Sequence, residues 1–408
     1  MSAYSEYQNG RDDDHNGYPD DRYGWNVVDQ NSKIFHRSHI RPIDSDIFKY
    51  KEILAKKKLG TITEAELQWF DAKKEDKEFR RELSVFNNYA HGTHVAGIIK
   101  NQDSEVKITP IRYLDLKSYD VPEPTEWGNL RSGRVQSFTA GKKSLKNRAD
   151  MYLKRFRDVL KYLRTREIDV VNGSYGSSWK GAVSKAKNTI RKVYGLNPHN
   201  EDMEALARYY LTYLMKQGEK IIAAHSQWLF VFSAGNSGSD NDVFPHYPSD
   251  IRLPNVIAVA ALNGKHLAEF TNYGLETVDV AFAGTAISSS VPVRSKPYDK
   301  FLPASGTSMA APGVAGLASK LKSINSELEA ADLKEVICKT TYKTSLLSRK
   351  LACGGRVSVK RAVKAAEYSR YYTLKTSIAK AIKLIPNDQK SSNLKSQIIG
   401  EVWNLPEG

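Results

Sequence analysis

Cysteine is nearly absent, with only Cys338 and Cys353 in 408 residues. Two thiols are too few for a disulfide-built scaffold and wrongly spaced for a metal knuckle. One bridge between them is open but not dictated by the sequence. Long apolar runs are missing as well: no window approaches the ~18 residues of a membrane span, so no membrane partner is expected. Met1-Ser2-Ala3-Tyr4-Ser5-Glu6-Tyr7 is polar and has no apolar leader core, so the chain as written offers no export signal. Internal repeats are absent, and so are basic clusters interleaved with aromatics. Lys and Arg number 61 against 46 Asp and Glu, a net charge of +15. The lysines nevertheless lie along presumed helix faces, such as Lys56, Lys57 and Lys58 or Lys375, Lys380 and Lys383. Solvated faces are the expectation and a nucleic-acid partner is not.

What is present reads as a soluble globular chain, 40% hydrophobic and 26% charged, with room for one large core or two moderate ones. Residues 1–42 hold an acidic, turn-rich stretch with Asn9-Gly10 and Asn16-Gly17 as turn signals. Residues 43–85 read as a basic helical insertion. Thr63 and Glu66 form a capping-box pattern there, and Ile47, Leu54, Leu67 and Phe70 give a modest apolar face. Strands are expected at Ile108–Leu114, Ile168–Asn172, Leu229–Ala234 and Val256–Ala261. The last two are nearly continuous apolar runs, as in a sheet covered on both faces. Arg148–Arg164 has helical periodicity between the first two, which argues for βαβ units. A second helical insertion is expected at about 178–224, containing Leu206, Tyr210, Leu211 and Leu214. Residues 86–366 form the expected core. Residues 367–408 form a Lys- and Ser-rich extension, either a helix pair or a loose tail.

Chemistry concentrates in two boxes. Ser308 follows Gly306-Thr307 and opens a run of small residues, Met309-Ala310-Ala311-Pro312-Gly313. A serine at a helix start sits among free N–H groups and positive partial charge. His91 opens His-Gly-Thr-His-Val-Ala-Gly, expected as the first turn of a buried helix that presents an imidazole to a cleft. His94 shares that face, but with no Glu or third ligand nearby zinc is not expected, and a packed role suits it better. Asn236 lies just past the strand Leu229–Phe232 and can donate through its amide to an oxyanion.

These boxes resemble those of subtilisin-like serine endopeptidases of family S8. The resemblance covers roughly Asn9–Asn31 and His91–Ala366, with Phe270–Gly274 and Gly354–Ser358 as supporting pieces. It implies an α/β fold: a doubly wound, mostly parallel sheet with helices on both faces and the two helical insertions. It implies acyl transfer to Ser308, with His91 as general base and Asn236 in the oxyanion hole. Ser174, Tyr175 and Gly176 would line the strand edge that binds an extended polypeptide substrate. A monomer is expected, and no cofactor is required for chemistry.

The acid of the triad has no counterpart in that resemblance. Asp29, after Trp25-Asn26-Val27-Val28, lacks the following Ser/Thr-Gly and is not assigned. The reading therefore expects an N-terminally truncated product or fragment of a secreted or extracytoplasmic parent. Its alternative is a pseudoprotease that binds peptides without cleaving them. Asp12, Asp14, Asn16 and Asp20, with Gly17 at the turn, follow an EF-hand-like spacing, although Tyr23 occupies the twelfth position. A weak structural calcium site is the expectation there, against a solvated acidic turn.

Overall fold

Runs that are apolar on both alternate positions become central strands, because each face of the sheet finds its own cover. The computed structural model describes residues 9–34, 45–114, 134–194, 199–292 and 301–387. The ends of the acidic N-terminal region, the start of the first insertion and residues 388–408 of the expected extension lie outside them. In chain order the strands are β1 (Trp25–Asn26), β2 (Ile111–Arg112), β3 (Val170–Gly173), β4 (Leu229–Ser233), β5 (Val256–Asn263), β6 (His266–Leu267), β7 (Val280–Ala283), β8 (Ile287–Ser290), β9 (Phe301–Ala304), β10 (Tyr342–Lys343) and β11 (Gly355–Arg356). The helices are α1 (Ser45–Leu59), α2 (Glu64–Glu75), α3 (Lys77–Gln102), α4 (Arg134–Leu163), α5 (Trp179–Tyr194), α6 (Asn200–Ala223), α7 (Thr307–Ile324), α8 (Ala330–Lys339), α9 (Val359–Ser369) and α10 (Leu374–Leu384).

The main sheet runs β10-β11-β7-β5-β4-β3, with β6 paired to the end of β5. From β11 to β3 every pairing is parallel. Every residue of β4 is buried, and its side chains alternate between two cores. Phe230 and Phe232 pack with α4, α5 and α6. Leu229 and Val231 join Ile257 and Val259 of β5 against α7, α8, α9 and α10. The fold is thus doubly wound. Leu206, Tyr210, Leu211 and Leu214 of α6 are almost fully buried, so the second insertion supplies part of one covering layer. Burying a leucine this way stabilises by about 2 kcal/mol each.

The first insertion has its own small core. Ile47, Phe48, Tyr50, Ile53, Phe70, Phe79 and Phe86 pack together and against Val291 and Leu302 beside the β8–β9 hairpin. The capping box is formed: Thr63 Oγ1 accepts from the Glu66 N–H, and Glu66 accepts from the Thr63 N–H. Asp76 caps α3 by accepting from the N–H groups of Glu78 and Phe79. That helix then runs unbroken to Gln102, so His91 lies in its middle turns and not in a first turn. The strand expected at Ile108–Leu114 shrinks to Ile111–Arg112. It pairs in parallel with β1 and stands apart from the main sheet, which ends at β3. Between the two, the Tyr113 and Tyr175 rings meet at 4.8 Å.

Cys338 and Cys353 are bridged, with their Cα atoms 5.1 Å apart. The bond ties the end of α8 to the loop before β11. For a loop of this length such a link contributes about 3 kcal/mol. No described helix is long and apolar enough to cross a membrane.

Candidate active site

Two helices bring the boxes together. α3 carries His91, α7 carries Ser308, and the two pack side by side. Their close approach depends on small residues. A Cβ on Gly316 would lie 2.7 Å from Gln102 Cβ and 2.8 Å from the Ile99 carbonyl oxygen, and one on Gly313 would lie 2.3 Å from the Phe282 ring. α7 is therefore held between α3 and the sheet, with Ala310, Ala311, Leu317 and Ala318 buried. Pro312 lies inside α7 and offers no N–H to the Ser308 carbonyl, which accepts from Ser174 Oγ instead.

Around the start of α7 the backbone is tightly held. Thr307 donates its N–H to Asn236 Oδ1 at 2.8 Å, and its hydroxyl donates to the same oxygen at 3.0 Å. That hydroxyl in turn accepts the Gly235 N–H at 3.1 Å. Because a backbone N–H requires an acceptor, Oδ1 is fixed and the Asn236 amide nitrogen is left free to donate. The Ser308 N–H is among those a helix start leaves without an intrahelical acceptor. A further network props the asparagine loop. Asn272 Oδ1 accepts from the N–H groups of Ser237 and Ser239 at 2.7 and 3.3 Å. Its Nδ2 donates to Asn241 Oδ1 at 2.8 Å, and Asn241 reaches the Ala234 carbonyl and Asp250. Burial raises the Asp250 carboxyl to about 7. Gly235 has φ +109°, and a Cβ there would meet Asn272 Nδ2 at 2.5 Å, so only glycine fits.

The histidine side is built differently. His91 is partly buried and makes no hydrogen bond with another described residue. Its imidazole is held below the ordinary histidine range by burial and then by the Lys51 ammonium. His94 is buried, with Nε2 2.9 Å from the Leu302 carbonyl oxygen, and burial lowers it to about 4. It ties α3 to β9 as a neutral group.

One cavity of about 230 Å³ is lined by His91, Asn236 and Ser308 together, with Lys51, His94 and Met309 among its other walls. Among the described residues that line it, none is Asp or Glu. Asp29 is engaged elsewhere: its carboxylate pairs with Arg112 at 3.2 Å and accepts from Asn26 at 3.0 Å. Of the expected substrate edge, Ser174 touches Ser308. Ser308 Oγ donates to the Ser174 carbonyl at 3.3 Å, and Ser174 Oγ donates to the Ser308 carbonyl at 3.0 Å. Tyr175 packs its ring on Tyr113 and Phe232, and burial pushes its hydroxyl up. Gly176 is exposed, and a Cβ on it would strike the His246 ring at 2.2 Å.

In the acidic loop the carboxylates turn to backbone. Asp12 accepts from the N–H groups of Asn16 and Gly17, Asp14 from Asn16, and Asp20 from Asn9 and Gly10. Asp21, unassigned from sequence, is fully buried and ion-paired with Arg166 at the end of α4. Among the described residues, the one trio of His, Cys, Asp or Glu ligand atoms within 4.8 Å is Asp279, Cys338 and Cys353, and both cysteines are already in the disulfide. In this arrangement the loop's carboxylates are braced by its own N–H groups.

A sequence profile of the subtilase family (Peptidase S8) matches residues 39–367. The chain belongs to the subtilase family. Among curated subtilases, Subtilisin-like protease 2 of Plasmodium falciparum is 28% identical over 245 residues, 57% of this chain and 13% of that protein. Thermitase of Thermoactinomyces vulgaris is 32% identical over 173 residues, 38% of this chain and 57% of that protein. The thermophilic serine proteinase of Bacillus sp. strain AK1 is 38% identical over 143 residues, 35% of this chain and 30% of that protein. The aligned stretch thus spans between about an eighth and just over half of these relatives. Among solved structures, a lanthipeptide protease superposes with a TM-score of 0.42 at 20% identity, covering 67% of this chain and 75% of that one.

Proposed function

We propose that this subtilase is a serine-type endopeptidase acting on extended polypeptides. The observation that carries the reading is the single cavity shared by His91, Asn236 and Ser308. In the proposed reaction, Ser308 Oγ leaves the Ser174 carbonyl and attacks the scissile carbonyl carbon as its proton passes to His91. The new oxyanion is held by the Ser308 N–H and Asn236 Nδ2, both preorganised before substrate arrives. Collapse breaks the C–N bond, and the proton on His91 goes to the leaving amine. Water then repeats the sequence on the acyl-enzyme. A depressed imidazole suits this start, since the base must be neutral. The imidazolium that follows has a nearby cation and no carboxylate among the described residues of the cavity wall, which makes the protonated state costly.

Ser174–Gly176 lies just past β3, the terminal strand of the main sheet. An extended peptide pairing there through its main chain is the proposed binding mode. The disulfide supports work in an oxidising, extracytoplasmic compartment. A second reading, peptide binding without turnover, is favoured by one observation: no carboxylate among the described residues acts on His91.

Fluorophosphonate labelling separates them. An activated Ser308 is labelled within minutes, and Ser308→Ala abolishes the signal. His91→Ala slows it about 10²–10⁴-fold, the ordinary worth of a general base. Labelling no faster than that of a free serine, or unaffected by His91→Ala, overturns the hydrolytic reading.

A further inference from the structure

The first insertion places a charge in the active-site cavity. Lys51, on α1, lines the same cavity as His91 and Ser308, beside Leu54, Phe86 and Leu302. Among the described residues its ammonium has no hydrogen bond, no ion pair and no aromatic face. This sets it apart from its neighbours on α1: Lys56 pairs with Glu66, Lys57 with Asp71, and Lys49 lies over the Trp69 ring. Among the described residues, none that lines the cavity carries a carboxylate. Lys51 is half-buried, and a cation partly withdrawn from water without a counter-charge is costly where apolar walls lower the local dielectric. An incoming carboxylate would relieve that cost on contact, in a setting where charge-assisted hydrogen bonds are strong.

We infer that Lys51 is a specificity residue, which pairs with the carboxylate of an Asp or Glu side chain in the peptide bound across Ser308. This deepens the proposed function and rests on the Ser308 site being where peptides bind. The lining residues do not include Ser174, Tyr175 or Gly176. The acidic side chain is therefore read on the histidine side of the nucleophile, away from the main-chain edge after β3. The pairing has a second consequence. Lys51 disfavours protonation of His91, so a carboxylate on Lys51 removes part of that opposition and makes the imidazolium less costly. An acidic substrate would bring its own counter-charge into a cavity whose described walls have none.

The experiment uses the full chain carrying Ser308→Ala, so that binding is read without turnover. Fluorescent octapeptides of alanine with one Glu, moved through each position, are titrated against the same set with Gln. A third set compares free and amidated C-termini. The expected result is about ten- to a hundredfold tighter binding of Glu over Gln at one position. That ratio falls to near one in Lys51→Met and is kept in Lys51→Arg, with circular dichroism and melting confirming that each variant is folded. Equal affinity for Glu and Gln at every position overturns the inference, as does a Glu preference that survives Lys51→Met. A preference only for the free C-terminus overturns the side-chain source of the carboxylate. Fluorophosphonate labelling of unsubstituted Ser308 is read separately. Labelling without a Glu preference defeats Lys51 alone, whereas a Glu preference without labelling defeats hydrolysis and leaves an acid-selective peptide cleft.

Discussion

The two halves of the candidate active site are built to different standards. On the serine side, Thr307, Asn236, Gly235, Asn272 and Asn241 form a continuous hydrogen-bonded lattice that fixes the nucleophile's helix and the amide donor. On the histidine side, His91 projects from a long helix and, among the described residues, has no hydrogen-bond partner and lies beside an ammonium that has none either. Stabilisation of a developing oxyanion needs only fixed donors, and these are in place. Stabilisation of a developing imidazolium needs an opposite charge, and among the described residues none faces the cavity. The comparison teaches that preorganisation in such a site is divisible: one electrostatic task can be prepared in detail while the other is left to a partner group.

The largest expected effect breaks the prepared half. Asn236→Leu removes the side-chain donor and slows reaction of Ser308 with an acylating or phosphonylating probe about 10²–10³-fold. A change of less than threefold means that the serine side is not working as an oxyanion site. A smaller effect comes from the props behind it. Asn272→Ala orphans the N–H groups of Ser237 and Ser239 and the Asn241 amide, so it destabilises by about 2–3 kcal/mol. The melting temperature should fall by several degrees, with a loss of labelling rate as the Asn236 loop loosens.

The smallest effect sharpens the other half. Burial lowers the Lys51 ammonium to about 8, so the folded state binds that proton less tightly than the unfolded chain does. A lysine depressed in this way contributes stability above its unfolded pKa, and the contribution is lost as pH falls through about 8. Lys51→Met should therefore be more stable than the parent by about 1–2 kcal/mol at pH 7, after allowance for partial screening. That advantage should vanish above about pH 10.5. Melting curves at pH 7 and pH 10.5 test it, and an advantage that does not shrink with pH rules out a buried-cation origin.

The residues of the candidate site were legible where they fall in contiguous runs. His91 and Ser308 announce themselves because each sits in a run of small residues that a helix against a sheet demands. The α/β architecture was legible for a similar reason, since Leu229–Phe232 and Val256–Ala261 are apolar on successive positions. What escaped the sequence depends on contacts between distant segments. Thr307 meets Asn236 across 71 positions, and Asn272 meets Ser237 across 35. Neither residue differs locally from an ordinary turn or cap. Lys51 was hidden for the opposite reason: it belongs to a lysine-rich helix whose other members pair at the surface. The middle position of His91 was also missed. Gly92 reads as a breaker, yet nothing from Lys77 to Gln102 removes enough backbone hydrogen bonding to stop the helix.

That uninterrupted α3 makes the small aromatic core before it and His91 one mechanical part. An α-helix turns by about 100° per residue, so adding or deleting a single residue between Phe79 and Phe86 cannot be absorbed locally. Either the aromatic cluster of the insertion or the imidazole must swing to a new bearing. Natural variation in insertion length should consequently be confined to α1, α2 and their connections, while the shaft that bears His91 keeps its register.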